Sequence, residues 1–437
     1  MQKKTTISIS VIFVIVFITT FVSSNRNWGK DHWKEIILSD GKGYYAYLPA
    51  IFIYHDLNFG FFDKIEKTDY YNKNLYYDYR ANGHGKVINK YFCGTALAEL
   101  PFFLAAHALS WLLDFTTDGY SKLYPVFISI GALFYLLIGL LFLNSTLAGY
   151  DIKVWERSLI SFAAVFGTNL FYYTIGEPGM SHIYSFAFIS MFLYYSRRYF
   201  ITFRKKYILI LALIFGIIVL IRPINGLIIF ILPFASGSAQ SLKKGLLIVV
   251  HNYLIWITGL GIFLGIISIQ LFIYKISTGS FFVDSYGDEG FHFLEPHIVD
   301  ILFSYKKGLF LYTPLFLLSF TGGYFLWKSS RFRFYTWFGF FFLITYVFSS
   351  WWMWYYGGSF SSRVFVEYIP VFMVLLSIAL HSMRRKIIKP ALVTLIVLLT
   401  IVCQIQTYQY RYYQIHWSEM TKDKYWNVFL RIDKLIK

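Results

Sequence analysis

Cys93-Gly-Thr-Ala-Leu-Ala-Glu-Leu-Pro-Phe-Phe-Leu-Ala-Ala-His-Ala-Leu-Ser-Trp-Leu-Leu-Asp-Phe115 is long enough to cross a bilayer, yet it carries Glu99, Pro101, His107 and Asp114. Whether it crosses decides the orientation of everything after it. Eleven other segments read as spans by length and lack of charge: Ile7 to Val22, then near 123–143, 159–175, 181–196, 207–221, 224–235, 245–272, 309–327, 335–350, 364–382 and 390–407. If 93–115 also crossed, every later loop would invert. The cluster Arg197, Arg198, Arg204, Lys205, Lys206 and the cluster Arg384, Arg385, Lys386, Lys389 would then face outward, against the preference of Lys and Arg for the cytoplasmic side. The stretch is therefore read as an amphipathic or re-entrant helix on the outer face.

Composition supports the same class. With 57% hydrophobic, 22% aromatic and 14% charged residues over 437 positions, the chain reads as an all-α polytopic membrane protein of about 11 transmembrane helices. Its N-terminus is cytoplasmic behind Lys3 and Lys4, a cleaved signal peptide being the alternative. A formal charge of +17 would point to nucleic acid in a soluble protein, but here its placement explains it. The segments assigned to the cytoplasm hold eighteen Lys and Arg against Asp151 and Glu156 alone, whereas the first outer loop, residues 24–122, has eleven of each sign. The excess is a topology signal, and no nucleic-acid partner is expected. Cys93 and Cys403 are too few for a disulfide framework or a metal site. Residues 1–437 are read as one transmembrane domain that includes the 24–122 loop and a short extracytoplasmic tail, 408–437.

The unusual polar motifs then share one side: Ser39-Asp40-Gly41-Lys42-Gly43-Tyr44-Tyr45, Gly176-Glu177-Pro178-Gly179-Met180-Ser181-His182, Arg222-Pro223-Ile224-Asn225, the loop Tyr274 to Gly308 with Lys306 and Lys307, and Trp351 to Arg363. Each has a plainer reading. Asp40 has the position of a helix N-cap. Glu177 sits in a tight turn, Arg222 could snorkel to the interface, and Trp354 and Tyr356 fit an interfacial aromatic belt. Asp284 and Glu295 have the spacing of a calcium loop, but Tyr286 and Glu289 occupy positions that such a loop needs otherwise. No phosphate-binding loop, dinucleotide fingerprint, zinc-protease or serine-hydrolase motif occurs.

An N-in first helix, a large outer loop opening on an acidic motif, about a dozen spans and an Arg-Pro helix break resemble the GT-C superfamily of integral-membrane glycosyltransferases, which includes protein O-mannosyltransferases and lipid A aminoarabinose transferases. The resemblance implies that Asp40 is the catalytic base and that Glu177 is a second acid. It implies a polyprenyl-phosphate-linked sugar donor and transfer by inversion to a glycan, lipid or protein acceptor, at an extracytoplasmic site of a bacterial inner membrane. Arg222 and Arg363, then Lys306 and Lys307, would hold the lipid phosphate. Tyr44, Tyr45, His182, Asn225, Trp354 and Tyr356 would orient sugar, and burial would raise the Asp40 carboxyl and improve it as a base. Ser39-Asp40-Gly41 carries a single acid where some relatives carry two, so no cofactor is assigned and a divalent cation stays open. The alternatives are a transporter or flippase of lipid-linked sugars, or a polysaccharide polymerase or ligase.

Overall fold

The computed structural model describes residues 2–67, 70 and 77–434, with side chains from Ile7 to Asp433 within those segments. Residues 68, 69 and 71–76 of the 24–122 loop, the end of the 408–437 tail, and the side chains of Lys3 and Lys4 lie outside that description.

The chain is almost wholly helical. It begins with α1 (Gln2–Asn27), α2 (Asp40–Phe52) and α3 (Gly94–Leu112), then α4 (Leu123–Ala148), α5 (Val154–Phe166), α6 (Leu170–Ile175), α7 (Ser181–Thr202) and α8 (Lys206–Ile221). A 3-10 segment, Pro223–Ile231, leads to α9 (Leu232–Ser236), α10 (Ala239–Val250) and α11 (Tyr253–Thr278). Four short helices follow, α12 (Ile298–Phe303), α13 (Leu309–Tyr312), α14 (Leu315–Ser319) and α15 (Thr321–Ser329), and then α16 (Arg331–Ser349). The last are α17 (Ile369–Ser382), α18 (Ile388–Arg411) and α19 (Lys422–Val428). One hairpin, β1 (Arg80–Gly83) with β2 (Lys86–Asn89), closes on His84 and Gly85, both at positive φ. That is the backbone a two-residue hairpin requires.

Six helices among the described residues are long and apolar enough to cross a membrane: Ile7–Asn27, Gly94–Leu112, Leu123–Ala148, Tyr253–Thr278, Arg363–Ser382 and Ile388–Arg411. Several expected spans are interrupted. The 159–175 segment is α5 and α6, separated at Gly167, where Leu315 and Thr400 press against the backbone. The 245–272 segment straddles the end of α10 and the start of α11, because the Asn252 side chain turns back to donate to Ile248 O at 2.6 Å. The 309–327 segment becomes α13, α14 and α15, with Pro314 unable to continue the hydrogen-bond ladder.

Helix α3 is the least apolar of the six, with mean hydropathy 1.3. Its start abuts the end of α8, and it runs back along the first half of α4, where Tyr135 donates to Ala98 O at 3.1 Å and Tyr124 meets His107 at 2.7 Å. Length and composition alone put it with the membrane-crossing helices. Its main packing partner is α4, followed by α2 and α8, so the expectation of a helix lying on the outer face is not what length, composition or packing single out.

The helix ends fall into two groups. In one, Asn27 donates to Ile175 O at 2.7 Å, Gly41 lies against Gly179, Lys90 pairs with Glu289 at 2.5 Å, and His292 N–H donates to Ser350 O. In the other, Glu156 at the start of α5 receives His381 from the end of α17 at 2.8 Å and Lys389 from the start of α18 at 2.5 Å. There too Arg197 and Arg333 both lie 4.8 Å from the Tyr150 ring. Each of these contacts joins segments that charge counting assigns to one side. The first group has an aromatic core of its own, with Tyr45, Tyr47, Phe59, Phe62 and Tyr79 at most 2% exposed.

Close approach of α3 to α8 depends on Gly94, where a Cβ would lie 2.2 Å from the Ile221 backbone nitrogen. Gly94→Ala is expected to cost about 1–3 kcal/mol, since backbone cannot rotate away as a side chain can. Thermal unfolding measures it, with Gly261→Ala, which meets nothing within 4 Å, as the unaffected comparison.

Candidate functional site

Asp40 is the first residue of α2, behind Ser39 at φ 49°, a strained value for a residue with a side chain. The cap role expected as its plainer reading is not what its side chain does: the Asp40 carboxylate accepts from the Arg363 guanidinium at 2.7 Å. Gly41 makes this placement sterically available, because a Cβ there would stand 3.1 Å from Gly179 O. The first turn of α2 therefore sits directly on the Glu177–Met180 turn.

Arg363 opens a 3-10 segment, Arg363–Tyr368, that feeds α17, and the loop before it bends through Tyr356, Gly357 and Ser361, all at positive φ. Four residues on, the same segment presents Glu367, which is 0% exposed. Its Oε1 accepts from Arg222 at 2.7 Å and from His182 Nδ1 at 3.0 Å. One short segment thus supplies the cation for Asp40 and the anion for Arg222. Arg222 is held where α8 stops, ahead of Pro223, and Asn225 pins that break by donating to Ser185 Oγ at 3.1 Å and accepting from Tyr368 at 3.4 Å.

With Glu367 accepting at Nδ1, neutral His182 carries its proton there, leaving Nε2 as the lone-pair nitrogen. That Nε2 and Glu367 Oε2 are both buried and without a hydrogen-bond partner. The Tyr173 ring stands 4.7 Å from the imidazole, edge on.

Electrostatics distinguish the acids. Burial works to raise the Asp40 carboxyl, but the Arg363 charge, with hydrogen bonds from Tyr91 and Arg363, outweighs it and holds the group below the usual carboxylate range. This corrects the expectation of a rise, which overlooked a cation in direct contact. Glu177 goes the other way: burial raises it despite Arg363 and a 3.0 Å bond from the Tyr172 hydroxyl. Burial also brings Lys307 down to about 7. Its Nζ donates to Ser359 O beside the Tyr410 ring.

Asp40, Arg363, Arg222 and His182 therefore come together, with Glu177 and Lys307 as electrostatic neighbours. Tyr44 joins them, its ring tilted against that of Tyr91 at 4.7 Å. Tyr45 does not, since it is fully buried between Phe103 and Tyr120 with its hydroxyl on Gly119 O. Lys306 lies 3.4 Å over the Tyr355 ring, and Trp354 stacks on His297 at 5.7 Å, so both belong to the rim. Tyr356 donates to Phe348 O at 3.0 Å and holds the loop. Asn225 is likewise committed to the scaffold. Among the described residues no three His, Cys, Asp or Glu side chains converge as a metal site would need.

Glu367, Tyr91 and Tyr173 are absent from the sequence-based candidates. Glu367 had a usable signal: it is an acid at the start of the apolar 364–382 segment, and an ionisable group in such a place needs a named partner. No family model matches the chain, and no curated protein matches it either.

Two outcomes follow from the pairing. Glu367→Ala leaves Arg222 without its buried counter-charge and is expected to cost about 3–5 kcal/mol in unfolding. Lys307, depressed to about 7 from its ordinary 10.5, binds fewer protons folded than unfolded between those values. Its contribution to stability therefore rises with pH from about 7 to 10.5, and chemical unfolding of Lys307→Met should lose that slope.

Proposed function

We propose that the protein is a membrane glycosyltransferase that moves a sugar from a polyprenyl-phosphate donor to an acceptor hydroxyl on the outer face of a bacterial inner membrane. The observation that carries this reading is the convergence of Asp40, Arg222, His182 and Arg363 from segments far apart in the chain. The likeness to GT-C enzymes read from the sequence motifs points the same way. An extracytoplasmic site has no nucleotide-sugar supply, so a sugar must arrive there on a lipid.

Transfer by inversion needs a proton acceptor on one side of the anomeric carbon and a stabiliser of the leaving phosphate on the other. Asp40 is ionised at neutral pH and accepts the hydroxyl proton. Its direct contact with Arg363 leaves no space for a sugar between them, so Arg363 aims and neutralises Asp40 while the phosphate falls to Arg222. Arg222 spends one N–H on Glu367 and keeps others of its five donors for phosphate oxygens. Lys307 is too buried to meet a ligand directly and tunes Glu177 instead. The acceptor is a glycan, lipid or protein hydroxyl, and membrane lipids surround the bundle.

Asp40→Asn in membranes supplied with labelled polyprenyl-phosphate sugar is expected to lower transfer by about 10²–10⁴-fold. Undiminished transfer by a folded mutant would remove Asp40 from the reaction. Label that crosses the membrane without forming a glycosidic product would replace the enzyme with a transporter.

A further inference from the structure

At the opposite group of helix ends, away from Asp40, the structure forms a second polar site whose residues take no part in the proposed chemistry. Helix α10 starts at Ser238, whose hydroxyl accepts from Ser241 N–H at 3.2 Å, and it lies on the end of α7 through one point of close approach. That point is Gly245, where a Cβ would stand 2.6 Å from the Phe200 ring and whose carbonyl accepts from Tyr199 at 2.6 Å. Gly245 is the only buried residue of α10. Leu242 and Val249 pack on the same side against the Tyr199 and Phe200 cluster, and the opposite side of the helix, with Gln240, Lys243, Lys244, Leu246, Leu247 and Val250, is exposed.

Its outward face divides in two. Gln240, Lys243 and Lys244 lead, one and two turns on, to Leu247, His251 and Asn252, and these residues line one concave surface. Lys205, from the turn between α7 and α8, reaches Asn252 Oδ1, and Lys244 lies 4.5 Å over the Phe203 ring in that same turn. Cations from two separate segments thus meet at one groove. Beside it the exposed surface turns apolar: Leu246, Val250, Leu254 and Ile257 are 52%, 67%, 64% and 51% exposed.

No acid competes within this part of the chain. Between Glu177 and Asp284 there are nine Lys and Arg and no Asp or Glu. Among the described residues Lys205, Lys243 and Lys244 form no ion pair with a carboxylate. Compare Lys389 in the same group of ends, which is committed to Glu156 at 2.5 Å. A structural ion-pair network would look like the second case.

We infer that this groove binds the phosphate headgroup of an anionic phospholipid, with the acyl chains running over Leu247, Val250 and Leu254. A free anion would use the cations but has no use for the apolar rim that continues from them. A phospholipid uses both, and basic pockets between membrane helices suit such headgroups. The break between α10 and α11 then has a purpose: it turns α10 out of the line of α11, so that lysines and apolar residues lie along one membrane-facing groove. The inference is independent of the reaction proposed for the Asp40 site.

The test is native mass spectrometry of the purified full chain with phosphatidylglycerol or phosphatidylcholine added at equal concentration. The wild type should retain phosphatidylglycerol in preference. The variant Lys205→Gln, Lys243→Gln, Lys244→Gln, all at exposed positions, should lose at least about tenfold in that affinity. The variant Arg384→Gln, Arg385→Gln, Lys386→Gln removes equal charge from another exposed basic loop and should retain it. Unchanged binding in the first variant, or an equal fall in the second, would overturn the site. Displacement of the lipid by inorganic phosphate at millimolar concentration would make it a site for free anions and overturn the lipid assignment.

Discussion

A buried charge in an apolar bundle must find its opposite, and the two pairs Asp40–Arg363 and Glu367–Arg222 are how this protein meets that demand. Each pair joins segments that are distant in sequence. The first clamps the start of α2 to the segment before α17, and the second clamps that segment to the break after α8. His182 adds α7 through the same Glu367 oxygen. The loops around the pairs are irregular backbone with several residues at positive φ, and further bonds, from Tyr356 to Phe348 O and from Asn169 to Phe360 O, hold them beside the charges.

The same constraint sets the protonation of the neighbouring groups. A guanidinium in contact with Asp40 keeps that carboxylate ionised. Glu177, partly buried, and Lys307, buried, have no opposite charge in direct contact and move toward their neutral forms. Two acids a few residues from one another in space therefore behave oppositely, and the difference is the presence of a cation within hydrogen-bond reach. Neither behaviour follows from residue type.

At the other group of helix ends, charge is handled in two ways. Glu156 is enclosed by His381 and Lys389 and ties α5, α17 and α18 together. Among the described residues the lysines of α10 and the α7–α8 turn form no such ion pair, and they stay on the surface. Packing thus separates cations that hold the bundle from cations left facing whatever surrounds it.

By itself the sequence determined the helical membrane class, because that rests on composition and on long apolar runs, which are properties of residues and not of contacts. It also singled out Asp40, Arg222, His182 and Arg363, since polar groups flanking long apolar runs are conspicuous. It misjudged the interior of several spans. Breaks at Gly167, Asn252 and Pro314 depend on what presses against the backbone or on which carbonyl a side chain reaches, and hydropathy does not register either. Only the tertiary structure decided that Asp40 pairs with Arg363, 323 positions away, that Tyr45 belongs to the core, and that Glu367 holds two site residues at once. The physical reason is that charge pairing acts through a few ångströms of space, and distance along the chain carries no record of it.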